Sequence, residues 1–105
     1  MFEIGQEVFV VTAANVNPVG KIWDVSERLV ISSGANKIFV YESGRVNCVF
    51  AEMVFLHKLD ALLSISSDCK YFVDHTSTAI KPANAHGMSP QEILLETIKI
   101  AKDVK

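Results

Sequence analysis

Cysteine is scarce in this chain of 105 residues: Cys48 and Cys69 are the only two. Two thiols allow one disulfide at most, and no secretory signal precedes them, so a reduced setting is the expectation. Charge is sparse as well, at 21% of residues, against about 25% in an average soluble domain. It is also unpatterned. Residues 1–58 set Lys21, Arg28, Lys37, Arg45 and Lys58 against Glu3, Glu7, Asp24, Glu27, Glu42 and Glu52, and the remainder holds five basic and six acidic residues. The formal net charge is −2. Without a basic run to neutralise phosphates, nucleic-acid binding is disfavoured, although folding can still gather a few cations onto one face. No apolar run approaches the ~20 residues that span a bilayer. The opening Met-Phe-Glu-Ile-Gly lacks the basic, then apolar, pattern of a secretory leader. The expectation is a cytoplasmic, reduced protein without a membrane role. Catalytic signatures are missing too. There is no P-loop, no dinucleotide fingerprint, no G-x-S-x-G and no H-E-x-x-H.

What the chain has in quantity is apolar side chains, 50% of the total. A domain of this size hides ~60–70% of its unfolded surface. The surplus needs a sink, and a protein partner or a homo-oligomer interface is the natural one. A tightly packed monomer with scattered apolar surface is the alternative.

The rhythm changes along the chain. Glu7–Thr12 is β-branched and aromatic and reads as a strand after Gly5. Asn15, Asn17, Pro18 and Gly20 make a loop. Lys21–Val25 alternates, with Trp23 and Val25 on one side and Ile22 and Asp24 on the other. Ser26-Glu27 reads as a turn or bulge before the pattern resumes at Arg28–Ser32. Ser33–Asn36 is a turn. Lys37–Glu42 and Arg45–Phe50 flank Ser43-Gly44 as an antiparallel hairpin, with Val46, Cys48 and Phe50 sharing one face. Cys48 reads as a small buried hydrophobe, and Phe9, Phe50 and Phe55 as core. Met53–Leu56 is short and apolar. Leu59, Leu62 and Leu63 then recur at helical spacing, predicting a short helix near 57–65. Cys69–Asp74 reads as another short strand, and 75–88 as a polar loop. Ser89, Pro90 and Glu92 form a capping box at the head of a helix over 89–104. Its apolar arc is Ile93, Leu94, Thr97, Ile98, Ile100, Ala101 and Val104, with Leu95 stranded among the charges.

Ile4–Val10, Val25, Ile38–Tyr41, Phe50–Glu52, Val54–Leu56 and Leu59–Leu62 together resemble the small SH3-like (KOW-like) β-barrel modules of bacterial and phage accessory proteins. The resemblance covers residues 4–63. In such modules the Val-Phe-Leu segment runs into a short helix that opens with Thr or Ser and carries Glu-Ala. Here His57 stands at the opening and Asp60-Ala61 replaces Glu-Ala. The resemblance implies an accessory or inhibitor role exercised by surface binding, and it says more of fold than of activity.

The resulting expectation is an α+β domain. An antiparallel, bent sheet or open SH3-like barrel of four to five strands carries a short helix (1–68), and a C-terminal extension (69–105) completes one compact unit. Catalysis, a cofactor and a metal are not expected. Asp74-His75 followed by hydroxyls uses catalytic vocabulary, yet neighbours on an extended chain point apart. Cys69, His75 and His86 lack zinc-ligand spacing. The leading function is non-catalytic protein interaction, with self-association, through candidate contact residues Leu94, Leu95, Ile98, Trp23 and Tyr41. Trp23, Phe39 and Tyr41 beside Lys21, Lys37 and Arg45 could instead form a nucleic-acid platform, although aromatics such as Trp23 on strands more often belong to the core. A small ligand-binding or hydrolytic domain around His75 is the third reading.

Overall fold

A computed structural model describes residues 2–16, 20–75 and 86–103. Five antiparallel strands form one open sheet: β1 (Glu7–Val16), β2 (Gly20–Ser33), β3 (Lys37–Glu42), β4 (Arg45–Phe50) and β5 (Val54–Phe55), in the order β4-β3-β2-β1-β5. A 3-10 turn, Ala51–Met53, links β4 to β5. Two helices follow, α1 (Lys58–His75) and α2 (Pro90–Asp103). The α+β reading with a C-terminal helix holds.

β1 explains why the sheet can be packed on both sides. Its run Val8-Phe9-Val10-Val11 is continuously apolar because each face meets a core. Val8 and Val10 point into a cluster with Val30, Ile38, Val40 and Val54, enclosed by the bent sheet itself. Val11 points the other way, with Trp23, against Ala61, Leu62, Ile65 and Cys69 of α1 and Ile93 of α2. Phe9 and Phe55 are half-buried against this second cluster.

β2 is the strand that reaches both halves. It does not break at Ser26-Glu27, as composition suggested. Ser26 pairs with Val10 and Glu27 with Phe9, and the Ser26 hydroxyl accepts a bond from Arg28 Nε at 2.9 Å. The irregularity lies later, between Val30 and Ser32, where an extra residue sharpens the bend. The first half of β2 has no β3 beside it. Its free edge is taken by Met88, which exchanges two backbone hydrogen bonds with Trp23, at 3.0 and 2.6 Å. Gly87 makes that approach possible. Its φ is +95°, and a Cβ there would sit 2.6 Å from Ile22 Cγ2 and 2.7 Å from the Trp23 carbonyl oxygen.

α1 corrects the sequence reading. The expected short helix near 57–65 runs on to His75, and Cys69–Asp74 is its last third rather than a strand. Ala61, Leu62, Ile65, Cys69 and Phe72 make one stripe at helical spacing against the core. Ser64, Ser66 and Ser67 lie inside this helix. Ser64 Oγ donates to the Ala61 carbonyl at 2.6 Å and Ser66 Oγ to the Leu63 carbonyl at 3.1 Å. The division between residues 68 and 69 therefore falls inside a continuous helix. Most of the expected 75–88 loop, residues 76–85, lies outside the described residues.

α2 opens as its sequence predicts. Ser89 N–H donates to Glu92 Oε1 at 3.2 Å, and Glu92 N–H faces Ser89 Oγ at 3.4 Å. The buried side is narrower than the apolar arc. Ile93 and Thr97 are buried and Leu94 and Ile100 half-buried, while Ile98 and Ala101 face out. Lys58 and Glu96 join the helices at 3.5 Å.

Candidate functional site

The most distinctive surface is built from β2, β3 and β4. The turn at Ser43-Gly44 fixes it. Both residues have positive φ, 49° and 83°, the geometry of a two-residue type I′ hairpin. Glu42 then pairs with Arg45, and every later pair follows: Tyr41 with Val46, Phe39 with Cys48, Lys37 with Phe50. On β3, Ile38 and Val40 point inward and are fully buried, so Lys37, Phe39 and Tyr41 point outward. Antiparallel partners share a face. Val46, Cys48 and Phe50 are therefore outward too, and Leu29 joins them opposite Tyr41.

Leu29, Phe39, Tyr41, Val46 and Phe50 are between 41% and 58% exposed. They form rows across three strands. Tyr41 stands between Leu29 and Val46; Phe39 lies between Ser32 and Cys48; Lys37 lies beside Phe50, its Nζ 6.0 Å from the ring. Continuous strand parity along β2 puts this patch on the side of the sheet where Trp23 and Val25 meet the helices. The helices pack on β1, β2 and β5 and leave the patch uncovered. At one corner Glu7, Glu27, Arg28, Leu29, Tyr41 and Glu42 outline a shallow depression of about 390 Å³. Arg28 is tied there to Glu42 at 2.7 Å, which leaves that rim acidic.

Two expectations are overturned here. Phe50 is not core, and Cys48 is not buried. Their strand alternates as read, but the face turned inward is the one carrying Val49. The hairpin register held the signal. Phe50 lies opposite Lys37, and a lysine that stays in water takes Phe50, Cys48 and Val46 out with it.

The five candidate contact residues do not converge. Tyr41 lies in the sheet patch. Leu95 and Ile98 are exposed on the outer side of α2, and Leu94 is half-buried against the helix-side core. Trp23 is corrected. It is 1% exposed, its ring edge-on to Phe72 at 5.9 Å, because its side of β2 lies beneath the helices. A buried indole offers no face to a partner.

The remaining chemistry-bearing residues are dispersed. His75 is exposed at the end of α1, stacked on Tyr71 at 4.3 Å, with Nδ1 3.0 Å from the Tyr71 carbonyl oxygen. His86 is exposed. Cys69 is buried, and that burial, reinforced by Asp68, pushes its thiol up to about 12, which keeps it protonated and unreactive. Among the described residues no three His, Cys, Asp or Glu side chains group as metal ligands do. Likewise, no described helix is long and apolar enough to cross a membrane. No protein-family model, curated protein or solved structure matches the chain.

Proposed function

We propose that this chain is a non-catalytic protein-interaction module that binds through the outer face of β2, β3 and β4. One observation carries the reading: five large apolar side chains, Leu29, Phe39, Tyr41, Val46 and Phe50, stand together in water on adjacent strands. Singly exposed apolar residues are ordinary, whereas a contiguous patch marks a contact surface. The strands beneath are anchored, since Ile38 and Val40 of β3 are buried in the inner core. Such a face can be held in shape before a partner arrives, which lowers the entropy cost of binding. The SH3-like character of residues 4–63 belongs to the same reading. It is supported by the strand order β4-β3-β2-β1-β5 and by the 3-10 turn before β5. Retention of proteins from a native lysate on the immobilised chain, compared with a Phe39→Lys/Tyr41→Lys variant, tests the proposal. Proteins held by the wild type and lost from the variant support it; identical retention by both overturns it.

A nucleic-acid platform is the second reading, favoured by Phe39, Tyr41 and Phe50 on one exposed face with Lys37 beside them. The acidic rim of Glu7, Glu27 and Glu42 weighs against it. Binding of a labelled single strand that weakens steeply with rising salt supports this reading, and its absence at low salt removes it.

A further inference from the structure

The apolar face ends at a strand edge whose hydrogen-bonding groups have a definite register. In the type I′ hairpin, Glu42 and Arg45 exchange backbone bonds, and bonded and non-bonded pairs alternate from there. The far end agrees: Ala51 N–H donates to the Asn36 carbonyl at 2.9 Å, so Lys37 and Phe50 are a non-bonded pair. Arg45, Asn47 and Val49 therefore turn their N–H and C=O groups toward β3. Val46, Cys48 and Phe50 turn theirs away from the sheet, where β4 is the last strand. The same three residues also direct their side chains onto the exposed apolar face. Among the described residues no strand pairs with this edge, and an open edge with apolar side chains is a template for another strand.

We infer that the partner at this edge is a second copy of the chain, joined β4 to β4 in antiparallel fashion about a two-fold axis through Cys48. The inference rests on the protein-interaction reading above and names the partner for that surface. Three features of β4 are self-complementary. First, a two-fold axis at Cys48 sets Val46 against the partner copy's Phe50, Cys48 against Cys48, and Phe50 against Val46. All three outward-facing backbone positions are then satisfied. Moving the axis to Asn47 or Val49 leaves one of them against the hairpin turn or the 3-10 turn. Second, the apolar side chains gain apolar neighbours, and two five-stranded sheets become one continuous sheet. Third, the charges match. Arg45 at the head of β4 and Glu52 just past its end are both exposed, and neither takes part in the ion pairs found among the described residues. Antiparallel pairing brings each Arg45 beside the other copy's Ala51-Glu52, basic against acidic at both ends. An edge joined along six residues is a small interface, so association in the micromolar range is expected.

Cys48 supplies a reporter. In a hydrogen-bonded antiparallel pair the two Cα atoms lie about 5.5 Å apart, within disulfide reach. Diamide removes one hydrogen from each thiol, is itself reduced to the hydrazine, and leaves the two sulfur atoms bonded. Buried Cys69 serves as the internal control. The test combines light scattering over a range of concentrations with diamide treatment of the native chain. The expected result is a mass rising toward twice 11.6 kDa, together with a reducible covalent dimer linked only through Cys48. Cys48→Pro removes an outward N–H and no bond to β3, and Val46→Lys alters a side chain already in water. Each should weaken association by at least about tenfold with an unchanged circular dichroism spectrum. A chain that stays monomeric throughout overturns the inference, and if the lysate comparison still separates wild type from the face variant, the broader reading stands. A dimer that forms no Cys48 link and ignores both substitutions also overturns it, because association then uses another surface. The wild-type mass rising with concentration, taken together with the Cys48 cross-link, decides the matter even if a variant fails to fold.

Discussion

Neighbouring residues on β3 give a sharp test of which face is core. Ile38 is 1% exposed and Phe39 is 44% exposed. Composition alone ranks the phenylalanine as the more important, since buried Phe→Ala changes cost about 3–5 kcal/mol. The structure reverses the ranking. A phenylalanine side chain carries roughly 200 Å², so about 110 Å² of Phe39 leaves water, worth at most ~2.8 kcal/mol at about 25 cal/mol per Å². Alanine at the same position keeps part of that contact, which puts the loss for Phe39→Ala near ~1–1.5 kcal/mol. Ile38→Ala removes atoms from the enclosed cluster of Val8, Val10, Val30, Val40 and Val54 and leaves a void, at a cost of about 2–5 kcal/mol. Urea unfolding followed by circular dichroism reads both. With a slope near ~1.5 kcal/mol per molar urea, Ile38→Ala lowers the midpoint by about 2 M and Phe39→Ala by less than about 1 M. A larger loss for Phe39→Ala than for Ile38→Ala would refute the assignment of faces, and with it the contact surface.

Ser89→Ala removes the α2 cap and should cost about 1 kcal/mol in the same assay. Gly87→Ala should cost more than that, because it combines φ +95° with a Cβ 2.6 Å from Ile22 Cγ2. A thiol reagent should modify Cys48 at once and Cys69 only on unfolding, so one equivalent reacts in buffer and two in denaturant. The folded Cys69 thiol is raised from 9.0 to about 12. Its contribution is therefore fully present below pH 9 and is lost as pH rises toward 12, when only the unfolded thiol ionises, by up to ~1.4 kcal/mol per pH unit. Stability against pH for wild type and Cys69→Ala should diverge in slope over that range and run parallel below it.

Much of this fold is legible in local chemistry. The hairpin at Ser43-Gly44 and the capping box at Ser89-Glu92 are written in turn and cap residues, whose effects depend on immediate neighbours. Their strands and helix begin where the sequence says. What failed depended on packing at a distance. Cys69–Asp74 looks like a strand by residue type, yet Cys69 and Phe72 continue the stripe begun by Leu62 and Ile65, and tertiary contact overrides propensity. Trp23 could not be placed from its strand alone, since its burial depends on α1 and α2 covering that part of β2. The apolar face was half-legible. Alternation grouped Val46, Cys48 and Phe50 correctly, while the habit of placing aromatics inside sent them to the wrong side. The hairpin register, which sets Phe50 opposite Lys37, carries the information that alternation alone lacks. The surplus of apolar residues was visible in composition, but its concentration on β2–β4 became clear only with the strand register.

The most direct measurement is amide hydrogen exchange along β4 at low and high protein concentration. Among the described residues nothing bonds the outward Val46, Cys48 and Phe50 amides of a single chain, so they should exchange fast, whereas Asn47 and Val49 are held by β3. Raising the concentration should slow exchange at Val46, Cys48 and Phe50 while Asn47 and Val49 stay protected throughout. Outward amides that exchange equally fast at every concentration would contradict that expectation.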